Sequence, residues 1–262
     1  MLILLPPSEG KTAPERGAKY SPTKLGYPGL KKVRGEVLRA LVDLCSGKVD
    51  RAAKALGLGP KQRDLVAVNA EVATACAAPA IDIYTGVLYE ALDFASLPAA
   101  AKKRADSTVA IASALFGLLR PSDRIPAYRL SGDTTLPGLG TLSSVWKEAV
   151  SAELASAVKT SGPIIDLRSG AYVALGPIPP EAVDRSLTGR VLLERGGKRS
   201  VVSHHNKATK GRLTREVLKH GKTPRTVDKV PAYLSELGFH SEIREPKKDG
   251  DPLGLDIIVY ET

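Results

Sequence analysis

Apolar positions along the chain fall either in short unbroken runs or at helical spacing. Leu2–Leu5 is an unbroken run closed by Pro6-Pro7, which predicts a buried strand. Val33, Val37, Leu41 and Cys45 recur at every fourth residue and predict a helix over about 31–46, ended by Gly47. Leu65, Val68, Val72 and Cys76 predict a second helix over about 61–77. Between them, Asp50 stands ready to cap a short helix over Arg51–Leu56, and Leu56-Gly57-Leu58-Gly59-Pro60 supplies a tight turn. Residues 107–119 form an apolar stretch that periodicity leaves open between strand and buried helix. Further on, a helix is predicted around Val145–Lys159. Strands follow at Ile164–Leu167, Val191–Glu194 and Arg199–His204, then a basic helix at about Lys210–Lys219 and another at Val227–Leu237. Phe239–Arg244 and Leu255–Tyr260 read as closing strands, while the Pro- and Gly-rich stretches 6–30 and 121–140 read as long loops. Strands and helices mix without clean βαβ alternation. The expectation is a mixed α/β fold with a mixed sheet, in a single compact domain over 1–262 with a helical hairpin at about 31–77.

Composition narrows the class. No stretch of about 18 apolar residues occurs, so no membrane span is expected, and the opening run is too short for a signal peptide. The expected location is the cytoplasm. Two cysteines, Cys45 and Cys76, exclude a disulfide framework and read as buried thiols. The formal net charge is +10. Residues 195–225 hold ten Lys/Arg against Glu216 alone, and residues 1–34 hold seven against two acids; the remainder is slightly acidic. Such local charge points to an anionic partner, nucleic acid or another phosphate.

Four segments carry candidate chemistry. Ser8-Glu9-Gly10-Lys11-Thr12 invites a phosphate-loop reading, but Leu5 stands where the first glycine belongs, and Pro6 and Pro7 remove two N–H donors. Ser8, Lys11 and Thr12 remain as anion contacts or as an ordinary solvated loop. Gly57 and Gly59, with Lys61 and Arg63, suit a helix-hairpin-helix turn whose backbone approaches a phosphate, or any tight helical turn. Arg120, Arg124 and Arg129 share a proline-stiffened loop with Tyr128, suited to phosphate or base stacking; alternatively Asp123 pairs with one of the arginines. Ser203–Arg212 contains His204-His205, which on a strand would point to opposite faces and not chelate one ion. The same segment leads into Lys207, Lys210, Arg212 and Arg215, a basic junction or a solvated helix face. Arg168 adds a further cation, and Asp166 and Ser169 follow a buried strand where, with Tyr84, they could line a small-molecule pocket. No nucleophile elbow, dinucleotide fingerprint, metal ligand set or cofactor motif is evident, and no catalytic residue can be assigned.

Taken together and in order, these segments resemble the YaaA family of peroxide-stress proteins. The resemblance is carried by Met1-Leu-Ile-Leu-Leu-Pro-Pro-Ser-Glu-Gly-Lys-Thr12, Tyr84-Thr-Gly86, Leu115-Phe-Gly-Leu-Leu-Arg-Pro121 and Pro126-Ala-Tyr-Arg129. Trp146, Asp166-Leu-Arg-Ser169 and the Ser203–Arg212 segment ending in Lys210-Gly-Arg212 complete it. It implies a mixed α/β fold with a basic cleft and a helix-hairpin-helix-like element. It also implies DNA binding with little sequence specificity, distorted or branched DNA included, and protection from hydrogen peroxide by limiting free iron. The alternative from the residues is an enzyme acting on a nucleotide, nucleobase or other anionic small molecule in the same cleft. The mixture of Ser8, Lys11, Tyr84, Asp166 and Ser169 with arginines motivates it.

Overall fold

The computed structural model describes residues 1–201 and 203–260, with the side chains of residues 203–205 outside the description. One mixed sheet of eight strands organises the single domain. Its strands are β1 (Leu2–Leu5), β2 (Val109–Ser113), β3 (Gly117–Leu119), β4 (Ile164–Asp166), β5 (Ser186–Arg195), β6 (Lys198–Ser200), β7 (His240–Arg244) and β8 (Leu253–Tyr260). The order is β7-β8-β5-β4-β1-β2-β3, with β6 also paired to β5. The pairs β8–β5, β5–β4, β4–β1 and β1–β2 are parallel, while β2–β3, β5–β6 and β7–β8 are antiparallel. Every residue of β1 is buried, as a strand covered on both faces requires.

The helices are α1 (Lys31–Cys45), α2 (Val49–Ala55), α3 (Leu65–Ala70), α4 (Ala80–Ile83), α5 (Val87–Leu92), α6 (Ala99–Thr108), α7 (Leu142–Thr160), α8 (Gly170–Ala174), α9 (Ser203–His220) and α10 (Val230–Glu236). The α1 stripe holds: Val37, Leu41 and Cys45 are buried and Val33 packs at the core edge. In α7, Trp146, Val150, Leu154 and Val158 form the buried stripe, and the Trp146 indole N–H donates to Ala114 O at 2.8 Å. Arg34, buried in α1, donates to Phe116 O and Leu118 O at 2.8 and 2.7 Å, so it fastens the β2–β3 hairpin.

Several boundaries differ from the periodicity. The open stretch 107–119 is the end of α6 followed by β2 and β3, because Gly117 at φ +74° turns the chain back. The helix predicted over 61–77 is a 3-10 turn at Pro60–Gln62 and then α3, ending at Ala70. Its buried positions are Val66 and Asn69, followed by Val72 beyond the helix end; Val68 is exposed. Asn69 interrupts the apolar stripe because its amide clasps Arg129, donating to its carbonyl and accepting its N–H, both at 2.8 Å. Asp50 makes no cap and lies inside the first turn of α2. The strand predicted over Arg199–His204 is β6 alone. Gly196 and Gly197, both at positive φ, make a two-residue turn that folds Lys198 against Arg195. The basic helix therefore begins at Ser203, not near Lys210, so His204-His205 falls on a helix rather than a strand.

Candidate functional site

The chain leaves β1 towards β2 on one side, whereas β4 flanks β1 on the other and continues to β5 and β8. In open α/β sheets the crevice for ligands lies outside the carboxyl ends of the strands where the order reverses in this way. Two segments follow those ends: Pro6–Thr12 after β1, and Leu167–Ser169 after β4.

The first segment is held by Tyr84 and its neighbours. Lys11 and Tyr84 form an isolated antiparallel bridge, and Thr12 N–H donates to Ile83 O at 2.9 Å. Ser8 Oγ donates to Gly10 O at 2.5 Å and accepts the Thr85 N–H at 3.0 Å, so its hydroxyl shapes the loop. Tyr89 closes the other side, its hydroxyl donating to Pro6 O at 2.8 Å. The Lys11 chain folds inward: Nζ donates to Ser8 O at 2.9 Å and lies 4.3 Å from the Tyr128 ring centre and 5.4 Å from that of Tyr84. Removal from water brings its pKa down to about 7.

Tyrosines line the crevice floor. The Tyr84 and Tyr128 hydroxyls are 2.9 Å apart, Tyr128 also meets Ser113 Oγ at 2.7 Å, and the Tyr84 and Tyr89 rings stack at 5.4 Å. Burial raises the pKa of Tyr84, Tyr89 and Tyr128, so all three are neutral phenols at neutral pH. Arg129 stands at the rim, paired with Glu9 and held by Asn69. Glu9, Lys11, Gln62, Leu65, Tyr128 and Arg129 are among the residues lining a pocket of about 370 Å³.

Arg129 also lines a second, wider cleft of about 730 Å³, shared with Arg51, Lys54 and Gly57 of the hairpin and with Ser131 and Thr135. Gly57 takes φ +63° there, with nothing within 4 Å of where a Cβ would stand, so its backbone is open to an approaching group. Arg63 pairs with Asp50 and ties the two arms of the hairpin, while Lys61 is exposed. Thus the first loop, the hairpin and the end of the arginine loop meet at Arg129.

Other predicted residues lie elsewhere or are occupied. Arg120 and Arg124 line a separate pocket of about 460 Å³ with Lys19, Ser21, Lys24 and Gly26 among its other residues. Arg124 donates to Ala77 O at 2.5 Å, and Arg120 lies 5.9 Å from the Tyr27 ring centre. Asp123 forms no salt bridge with an arginine among the described residues. Its carboxylate accepts the backbone N–H groups of Gly26 and Arg120, each at 2.8 Å. Arg168 is buried and grips Asp166 bidentately at 2.9 and 2.7 Å, so neither faces the cleft as a free group. Ser169 is exposed at the start of α8. Lys210 is buried, donating to Leu167 O at 2.8 Å, and burial first of all brings its pKa down to about 8. Arg215 caps the end of α5 through Leu92 O and Asp93 O at 3.0 and 2.6 Å. Lys207 and Arg212 are exposed. Among the described residues, no group of three or more His, Cys, Asp or Glu side chains could hold a metal ion, and no helix is long and apolar enough to cross a membrane.

Comparison with known proteins assigns the family. The family model described as peroxide stress protein YaaA matches residues 1–242. The chain belongs to the YaaA family. A UPF0246 protein of Streptomyces coelicolor is 47% identical over the whole of both chains. A UPF0246 protein of Corynebacterium glutamicum is 40% identical over 91% of this chain and 94% of its own. A more distant UPF0246 protein, from Bacteroides thetaiotaomicron, is 32% identical over 54% of this chain and 57% of its own.

In this YaaA-family chain, sequence patterns did not single out Glu9, Arg51, Lys54, Gln62, Asn69, Tyr89 or Ser113. Arg51 and Lys54 carried a usable signal, since they stand three apart on the hairpin's first arm and so share a helix face. Asn69 and Ser113 carried none, because their importance lies in partners 60 and 15 residues away in the chain.

Proposed function

We propose that the protein is a cytoplasmic peroxide-stress protein that binds DNA through phosphate contacts at the hairpin cleft, with little sequence specificity. The observation that carries this reading is the cleft itself: Arg51, Lys54 and Arg129 border one opening of about 730 Å³ beside the open backbone of Gly57. Lys and Arg there would neutralise phosphates and release counterions. The cleft is bordered by a short helix and turns rather than by a long helix that could read base edges, so shape and flexibility of the duplex would govern preference. On this reading any effect on free iron is indirect, through the nucleic acid. A second reading, chemistry on a nucleotide-like anion, draws on the pocket at Lys11, where a lysine lies over two tyrosine rings.

The double variant Arg51→Ala/Lys54→Ala tests the first reading. Both side chains are exposed and neither has a salt-bridge partner among the described residues, so folding is unaffected. In an anisotropy titration, the slope of log affinity against log salt is expected to become shallower by about 1.8, at roughly 0.9 for each phosphate no longer neutralised. An unchanged slope would remove the hairpin cleft as the phosphate site.

A further inference from the structure

The amine of Lys11 is placed for chemistry that phosphate binding does not need. An anion contact is best made by an exposed ammonium on the rim, as at Lys54. Lys11 instead turns into the 370 Å³ pocket, where its Nζ has two backbone acceptors, Ser8 O at 2.9 Å and Glu9 O at 3.4 Å. A neutral amine has two N–H donors, which these carbonyls satisfy, and a lone pair that remains for an electrophile. The pocket wall is completed by Gln62 and Leu65, from the hairpin's second arm, and by Arg129, which also borders the phosphate cleft. A DNA backbone held at the hairpin would therefore present a sugar, flanked by phosphate at Arg129, to the mouth of the Lys11 pocket.

An intact nucleotide offers a lysine no aldehyde or ketone, the carbonyls of its bases being amide-like. A deoxyribose that has lost its base does, because its ring opens to an aldehyde at C1′. We propose that Lys11 forms an imine with the aldehyde of an abasic deoxyribose in DNA held at the hairpin cleft. This assignment rests on DNA binding at that cleft. The Nζ lone pair adds to C1′, the two amine protons leave with the carbonyl oxygen as water, and a C=N bond replaces C=O. No oxidant or reductant is needed. The charged and titratable groups around Nζ are Glu9, Arg129, Tyr84 and Tyr128. At pH 7.4 an ordinary lysine is only about one-thousandth amine. Burial lowers the pKa of Lys11 to about 7, so it carries a far larger fraction of amine at that pH.

The test uses the whole chain and a duplex carrying one abasic site. Binding is first measured by anisotropy, and borohydride is then added to reduce any imine to a stable secondary amine. The expected result is a one-to-one covalent adduct that peptide mass spectrometry maps to Lys11. Lys11→Arg, which cannot form this adduct, should lower its yield at least about tenfold, because no other lysine is among the residues lining the pocket. A bound duplex with no adduct, or with adducts spread over other lysines, overturns the imine assignment while leaving DNA binding intact. Absence of any duplex binding overturns the DNA reading itself. A parallel arm with 2-deoxyribose 5-phosphate separates sources: an adduct at Lys11 with the free sugar phosphate alone overturns the assignment to DNA. Mapping on the unmodified chain keeps the test decisive even where the arginine variant fails to fold.

Discussion

Asp166→Ala is expected to lower the unfolding free energy by about 3–5 kcal/mol, the usual cost of breaking a buried ion pair from one side. Arg168 has no exposed side-chain surface and Asp166 only 2%, so no water can replace the lost carboxylate. The pair also shapes the end of β4. Asp166 Oδ1 accepts the Arg168 backbone N–H at 3.0 Å, and Arg168 Nη1 reaches Tyr172 O at 3.2 Å. Lys210 contributes to the same corner through Leu167 O. The double variant Asp166→Leu/Arg168→Met removes both charges and should recover most of the loss, as buried pairs replaced by apolar residues often do. Chemical denaturation of the three chains measures this. A single variant within about 1 kcal/mol of the parent would contradict the account of a desolvated, mutually dependent pair.

Gly211→Val should be nearly as damaging, for a steric reason. Gly211 lies inside α9, where a valine would ordinarily raise helix propensity by several tenths of a kcal/mol. Packing reverses that gain. A Cβ at position 211 would stand 2.1 Å from Leu88 O and 2.9 Å from Leu92 N, both backbone atoms of α5. Neither can swing aside, so α5 and α9 must separate, and the Arg215 cap on α5 separates with them. Overpacking of this kind costs about 3 kcal/mol. For a chain of this size that corresponds to a fall in Tm of roughly 6–12 °C. A thermal melt unchanged to within about 2 °C would show that the helices have slack that the backbone contact denies.

Much of the fold was legible because burial leaves a local trace. The β1 run and the α1 stripe are each written in nearby residues, and β1 with Val37, Leu41 and Cys45 is buried as predicted, Val33 packing at the core edge. What sequence could not show depended on distant partners. The buried stripe of α3 moved to Val66 and Asn69 because Arg129, 60 residues on, needed an amide to hold its backbone. The region 107–119 was ambiguous because its burial is complete along β2 and β3, and complete burial erases the difference between periods of two and 3.6.

The candidate site divided along the same line. Residue types and charge pointed to Lys11, the Gly57 turn and Arg129, which the fold brings together. They also pointed to residues 195–225, the richest basic window, and there the structure changes the meaning of the charge. Arg199 is held between Glu194 and Glu242, Arg215 caps α5, Lys219 pairs with Glu216 and Lys210 is buried. Part of that charge serves the fold, and the proposed phosphate site is the hairpin face, although it is less basic in sequence. A tally of charge along the sequence counts a spent arginine and an available one alike.

Amide hydrogen exchange of the whole chain, with and without a saturating duplex, tests most directly whether DNA sits at the hairpin. Slower exchange is expected across residues 51–65 and 127–135, with residues 207–219 unchanged. Protection confined to 195–225, with the hairpin and Arg129 loop exchanging as in the free protein, would contradict binding at the hairpin cleft.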